Sequence, residues 1–230
     1  MELIDTHAHL YLSQFDEDRD AMLQRAFDTG VSRIYLPNID GTSTEALHLL
    51  VDEYPDKCFP MMGLHPCSVK EDFDQELEIV ETLLFADDGY DYRGVGEIGL
   101  DYYWDTTYKQ QQIEAFRMQL DWAQQIELPA IIHSRNSLDD TISIVREMKD
   151  ERLKGIFHCF NGTPEQAREI VELGFYLGIG GVLTFKNAGV DKALKDIPLQ
   201  YLVLETDAPY LSPVPYLSLI HISEPTRRIT

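Results

Sequence analysis

Two histidines near the N-terminus, His7 and His9, have the residue type and spacing of metal ligands. They follow the run Leu3-Ile4-Asp5-Thr6, and alternate residues of a strand point to the same side. Two neutral imidazoles at a strand end can bind a divalent ion but are too few to hold it alone. A pair without further ligands would be an ordinary surface feature, so the rest of the chain decides between the two interpretations.

Further candidate ligands end or closely follow other short apolar runs. They are His65, Glu97, His133, His158 and Asp207. Titratable groups buried without partners at so many strand ends would cost folding free energy, so a shared metal centre is the economical explanation. The set exceeds what one tetrahedral ion needs and suits two ions with a bridging ligand. Glu97 is the natural bridge, because Gly96 and Gly99 beside it allow close approach of other groups.

These side chains need a scaffold that brings strand ends together. Apolar runs that predict strands alternate with segments of helical period, as in βα units, and they cover residues 3–6, 33–36, 59–63, 94–98, 130–133, 155–158, 176–180 and 201–205. Helical periodicity predicts helices over 18–28 and 111–125, and Thr42, Ser137 and Thr163 are predicted hydroxyl caps. Eight units favour an α/β fold of the closed (β/α)8 TIM type, whose strand ends meet on one rim.

Composition limits the classes of function. The chain of 230 residues suits one domain, with 44% hydrophobic and 26% charged residues and no apolar stretch long enough for a membrane span. Three cysteines, Cys58, Cys67 and Cys159, indicate reduced thiols rather than a disulfide framework. With no signal-peptide pattern, we expect a cytoplasmic protein without an obligate protein partner.

The net charge of −21 weighs against a broad nucleic-acid surface. It leaves open a nucleic-acid substrate that is contacted locally, because metal ions in one pocket can neutralise a single phosphate.

Several segments together resemble the TatD-type metal-dependent deoxyribonucleases, a branch of the amidohydrolase-like barrels. The matching segments are 5–10, 63–66, 94–103, 129–133 with Arg135, 158–162 and 204–211. The resemblance implies hydrolysis of DNA phosphodiester bonds, often from the 3′ end, with two divalent ions such as Mg, Mn or Zn. It implies that the ions bind His7, His9, Glu97, His133, His158 and Asp207, with Glu97 shared between them.

Within this expectation Asp207 is the predicted proton acceptor, since an ionised carboxylate beside an ion can receive a proton from water. His65 is predicted to hold the phosphate, with support of a metal ligand as its competing role. Arg135 is predicted to pair with a phosphate oxygen or to form a surface ion pair. Tyr103, in an aromatic run after the fourth strand, is predicted to stack on a terminal base or to pack in its loop.

Two other functions stay open. The same metal site would serve hydrolysis of an ester, an amide or an aminoacyl linkage, or the chain binds metal without catalysis.

The tail, residues 217–230, has no helical period and resembles translated adapter sequence, so we expect a barrel domain over 1–216. A truncated C-terminal helical layer would leave the first and last strands uncovered and the protein less stable.

Overall fold

The computed structural model describes residues 2–86 and 89–215. Within these ranges, eight strands alternate with seven helices. The strands are β1 (Leu3–Asp5), β2 (Val31–Pro37), β3 (Cys58–Met61), β4 (Val95–Asp101), β5 (Ala130–Arg135), β6 (Gly155–Phe157), β7 (Tyr176–Ile179) and β8 (Leu202–Leu204). The helices are α1 (Arg19–Asp28), α2 (Thr44–Glu53), α3 (Phe73–Leu84), α4 (Lys109–Gln125), α5 (Leu138–Met148), α6 (Pro164–Glu172) and α7 (Val190–Ala193). Every predicted strand is present.

Two joints close the strands into a barrel. All paired strands are parallel and follow chain order, β1 to β3 in one run and β4 to β8 in the other. Met62 pairs with Val95 between the runs, and the backbone N of Thr6 donates to the carbonyl of Leu204 at 3.0 Å. The fold is the predicted TIM-type barrel, closed between its first and last strands.

The helices pack on the barrel through apolar stripes of helical period. On α4, Phe116 and Leu120 are fully buried and belong to one cluster with Ile98 and Ile132 of the neighbouring strands. Truncating a buried phenylalanine such as Phe116 to alanine costs about 3–5 kcal/mol. This packing holds β4 and β5, which carry Glu97 and His133, in fixed positions.

One of the three predicted hydroxyl caps is confirmed. Thr163 and Gln166 form a complete capping box at the start of α6. The prediction is wrong for Thr42, whose hydroxyl donates to Asp40 at 2.6 Å and which precedes Ser43, the N-cap residue of α2. Ser137 is the N-cap residue of α5, as predicted, but its hydroxyl donates to the carbonyl of Leu100 at 2.7 Å instead of capping the helix. Polar groups in the adjacent loop and on β4 compete for these hydroxyls.

The outer face of the joint between β1 and β8 is partly uncovered among the described residues, with Ile4 39% and Leu204 61% exposed. The tail predicted to be non-native lies outside the described residues. Over the part of the chain that the structure describes, no helix is both long and apolar enough to cross a membrane.

Candidate metal centre

The predicted ligands meet at the C-terminal end of the barrel. His7 and His9 follow β1, His158 follows β6 and Asp207 follows β8, while His133 lies within β5. His7, His9 and His158 are buried, as expected for groups that share a closed centre. The strand-end positions in the sequence therefore indicated one common site correctly.

Glu97 was predicted to end the fourth strand, and this is wrong. It is the third residue of β4, which continues to Asp101 because each of its seven residues is buried and it pairs with β5 as far as Arg135. Gly99 permits this pairing, since its φ of +137° suits glycine and a Cβ there would lie 2.1 Å from the carbonyl of His133. Glu97 thus projects from the strand interior, where backbone pairing holds it.

The two carboxylate oxygens of Glu97 face different sets of imidazoles. Oε2 lies 3.2 Å from Nε2 of His7 and 3.3 Å from Nε2 of His9. Oε1 lies 2.9 Å from Nδ1 of His133, 3.0 Å from Nε2 of His158 and 3.4 Å from Nε2 of His65. Glu97 stands between the two sets, as a bridging carboxylate would.

Three groups of these residues have donor atoms within 4.8 Å of one another. They are His7 with Glu97 and His158, His7 with His9 and Asp207, and His65 with Glu97 and His133. Imidazole nitrogens mixed with carboxylate oxygens suit zinc, manganese or iron, and the crowding of nitrogens, with Nε2 of His7 3.3 Å from Nε2 of His9, is typical of atoms that face one cation. The residues present therefore fit a divalent metal.

A tyrosine fixes the proton position on His9. The Tyr11 hydroxyl donates a hydrogen bond to the carbonyl of Pro37 at 2.6 Å, because a carbonyl oxygen can only accept. The 3.0 Å contact between that hydroxyl and Nδ1 of His9 must then be a donation from His9. Neutral His9 thus carries its proton on Nδ1 and presents a free lone pair on Nε2 to the centre.

His65 has the opposite arrangement. Its Nδ1 accepts a hydrogen bond from the backbone N of Cys67 at 3.0 Å, so Nδ1 carries no proton. Burial lowers the pKa of His65, and the neutral ring therefore keeps its one proton on Nε2, which faces Glu97. This tautomer makes His65 a hydrogen-bond donor at the centre, although its distances would also allow a ligand.

Two carboxylates that received no role from the sequence contact the outer side of histidines predicted to bind metal. Asp101 Oδ2 lies 2.9 Å from Nε2 of His133, and Glu97 Oε1 lies 2.9 Å from Nδ1 of the same ring. Burial lowers the pKa of His133, but hydrogen bonds to these two carboxylates outweigh it and raise that pKa. Glu205 Oε1 lies 3.4 Å from Nδ1 of His158 and accepts the backbone N–H of Cys159. Such carboxylates orient ligand rings and raise their basicity.

The sequence held a signal for these supporting residues. Tyr11 is two residues after His9, Asp101 four after Glu97 and Glu205 two before Asp207. Each pair has the even spacing that puts side chains on one side of an extended chain.

Burial and neighbouring charges shift the pKa values of the ionisable groups at the centre. Burial and the neighbouring His158 lower the pKa of His7 to about 4. Burial raises the pKa of Glu97, but His158, His65 and His7 outweigh it and hold that pKa well below its usual range. Burial raises the pKa of Asp207 to about 6. His7 and Asp207 are therefore neutral and ionised, respectively, at pH 7, as ligation requires.

A cation lies against two aromatic rings beside the centre. The Arg135 guanidinium is 3.8 Å from the ring centre of Tyr103 and 5.1 Å from that of Trp104. The two rings are about half exposed, at 51% and 54%. Among the described residues, no carboxylate lies within ion-pair distance of Arg135, so its predicted surface ion pair is absent there.

Comparisons with known proteins agree with this geometry. A family model described as TatD related DNase matches residues 4–226. An uncharacterized metal-dependent hydrolase of Bacillus subtilis, YabD, is 38% identical over 215 residues, which are 93% of this chain and 83% of YabD. The crystal structure of a TatD homologue of Escherichia coli, YJJV, is 32% identical with a TM-score of 0.85, covering 92% of this chain and 81% of that one. A 3′-5′ ssDNA/RNA exonuclease TatD of Erwinia billingiae is 29% identical and covers 92% of this chain and 80% of its own.

Proposed function

This chain belongs to the TatD-related DNase family of metal-dependent hydrolases, and on that premise we propose that it hydrolyses phosphodiester bonds of single-stranded DNA from the 3′ end. The observation that carries the proposal is the division of the imidazoles between the two oxygens of Glu97. That arrangement supports two ions joined by one carboxylate, which is a recurrent design for phosphoryl hydrolysis.

One ion would bind His7, His9, Asp207 and one oxygen of Glu97, and the other would bind His133, His158 and the second oxygen. When bound, divalent ions such as Mg, Mn or Zn lower the pKa of water and stabilise negative charge on a phosphoryl group. The protein fixes which nitrogen faces the ion, through Tyr11 at His9 and through Asp101 at His133.

The side chains of the chain itself bind the phosphate and move the proton. Asp207, ionised above a pKa of about 6, accepts the proton that the attacking water loses. The Nε2–H group of His65 donates a hydrogen bond to a phosphate oxygen, as its tautomer allows. Arg135 pairs with another phosphate oxygen, and Tyr103, which packs against Arg135, offers its exposed face to a base.

A single-stranded nucleic acid is favoured as substrate by the Erwinia billingiae relative, which is named an exonuclease acting on single-stranded DNA and RNA, and the family description as a DNase favours DNA. Arg135, which has no carboxylate within ion-pair distance in the described part of a protein of net charge −21, also favours an anionic substrate. The cytoplasmic location and the lack of an obligate protein partner stay predictions.

A labelled substrate tests the proposal. Metal-loaded protein is incubated with 3′-labelled single-stranded DNA and, in parallel, with a panel of small esters, amides and aminoacyl compounds. Release of labelled nucleotide by the wild type and not by Asp207→Asn supports the nuclease. Turnover of the panel without DNA cleavage assigns the site to another bond, and metal binding without any turnover indicates an inactive metal-binding protein. Elemental analysis of the same preparation gives the number and identity of the ions.

A further inference from the structure

A cavity of about 220 Å³ lies beside the metal centre, between the loops that follow β3 and β4. Its wall includes Val69, Lys70, Trp104 and Tyr108, and Asp101 contributes the side nearest the centre. Asp101 also contacts Nε2 of His133, whose other nitrogen faces Glu97. One carboxylate and one imidazole therefore separate the cavity from the centre, a short distance for a substrate that spans both.

The wall of the cavity contains an exposed aromatic ring, that of Trp104, and the ammonium group of Lys70. The indole of Trp104 is 54% exposed, and the ammonium of Lys70 lies 5.7 Å from the ring centre of Tyr108. Over the described part of the chain, no carboxylate lies within ion-pair distance of Lys70 or of Arg135. Lys70 lines the cavity together with Asp105, and the Arg135 guanidinium lies 5.1 Å from the ring centre of Trp104 outside it. A cation within the cavity and another against its exposed ring favour a planar group that carries a phosphate.

We propose that this cavity binds one unpaired nucleobase of the strand whose phosphate lies at the metal centre, by stacking on Trp104, with Lys70 holding the adjoining phosphate. The inference rests on the proposed nuclease function and adds a specificity site to it. Cavities for drug-sized ligands occupy about 300–1,000 Å³, so this smaller one suits a single ring system and not a base pair. The substrate it selects is single-stranded.

Binding to base-bearing and abasic oligonucleotides tests the proposal. The full chain, loaded with metal, is titrated with short single-stranded DNA whose phosphorothioate linkages resist cleavage and that has either all bases or an abasic sugar at the last or the penultimate 3′ position. Tryptophan emission reports stacking, because the chain has two tryptophans and Trp122 is only 4% exposed. We expect about tenfold tighter binding of the base-bearing strand at one of these positions, accompanied by quenching.

Variants identify the residues responsible. Trp104→Ala lowers the preference for the base-bearing strand to about one, and Trp104→Phe retains most of it because a ring remains. Lys70→Ala weakens binding of both strands and reduces the salt dependence by about 0.7 in the log–log slope. Tyr176→Ala and Lys154→Ala are matched controls that leave both properties unchanged. Tyr176 begins β7 and Lys154 directly precedes β6, so both lie at the end of the barrel opposite the metal centre.

Three results overturn the inference: equal binding of the base-bearing and abasic strands by the wild type, an unchanged preference in Trp104→Ala, or no binding of either strand. The outcome is independent of catalysis. A wild type that prefers the base-bearing phosphorothioate strand but releases no nucleotide from unmodified DNA retains the cavity site and contradicts the proposed hydrolysis.

Discussion

The Tyr11 hydroxyl lies 3.0 Å from Nδ1 of His9 and donates a hydrogen bond to the carbonyl of Pro37. This relation decides which nitrogen of His9 is a ligand. At His65 the backbone N of Cys67 donates to Nδ1 and produces the other tautomer. Two histidines that both face Glu97 are thereby assigned different chemistry, one as a lone-pair ligand and the other as an N–H donor.

Removing the Tyr11 hydroxyl should weaken metal binding without unfolding the barrel. In Tyr11→Phe, Nδ1 of His9 loses its acceptor, and we expect the metal affinity to fall about 10- to 100-fold. Competition with a fluorescent chelator measures the change. Tyr35→Phe is the control, because it removes a tyrosine hydroxyl from a ring of β2 that packs on Phe59, with 5.5 Å between the ring centres. Equal affinities of Tyr11→Phe and wild type would show that the hydroxyl does not orient the ligand.

Loss of His65 should affect turnover and spare metal binding. We expect His65→Ala to reduce kcat on single-stranded DNA about 100- to 1,000-fold, as for loss of a hydrogen-bond donor to a charged transition state. Its metal affinity should stay within about threefold of wild type, whereas His9→Ala should lose most of its affinity. Elemental analysis and kinetics on the same preparations distinguish the two. A His65→Ala protein that loses metal as His9→Ala does would make His65 a ligand instead.

The buried carboxyl of Asp207 should make the stability of the metal-free protein depend on pH. Its folded pKa of about 6 is above the ordinary value of 3.8, so its contribution to stability is full below pH 3.8 and is lost as the pH rises through 6. In chelator at pH 8, the free energy of unfolding of Asp207→Asn should therefore exceed that of wild type by on the order of 2 kcal/mol, or roughly 5 °C in Tm. At pH 4 the two proteins should be equally stable.

Added metal should reverse this order at pH 8, because the wild-type carboxylate is then a ligand and the amide that replaces it in Asp207→Asn is a poorer one. Thermal melts with and without metal give the four values needed. A variant that is less stable than wild type at pH 8 in chelator would contradict the buried-charge argument.

Truncation of Arg135 should weaken substrate binding through loss of a phosphate contact. We expect Arg135→Ala to raise KM for single-stranded DNA about tenfold, with a salt-dependence slope lower by about 0.7. Arg33→Ala removes the same charge from an exposed position on β2 and serves as the control. If both variants have the same KM, the effect of Arg135 is one of net charge alone.

The sequence predicts the eight strands because each is a short, largely apolar run between segments of different pattern, and it predicts the shared rim because polar groups follow those runs. It does not predict that Glu97 lies inside β4, since a carboxylate there is tolerated only when imidazoles from other strands surround it. Hydroxyls such as Ser137 have several possible acceptors, and the choice of Leu100 depends on the folded arrangement. Proton positions on His9 and His65 likewise depend on partners that only the fold brings together.

The joint between the first and last strands is also part of the metal centre. The backbone N of Asp207 donates to the carbonyl of His7 at 2.9 Å, and the backbone N of His9 donates to the carbonyl of Ala208 at 2.7 Å. The Asp5 carboxylate binds Thr206 across the same joint. Residues about two hundred positions apart must meet before the ligand set is complete, and closing so long a loop is slow. A complete ligand set therefore requires a closed barrel, so separation of the first and last strands would disperse the donor atoms of the centre.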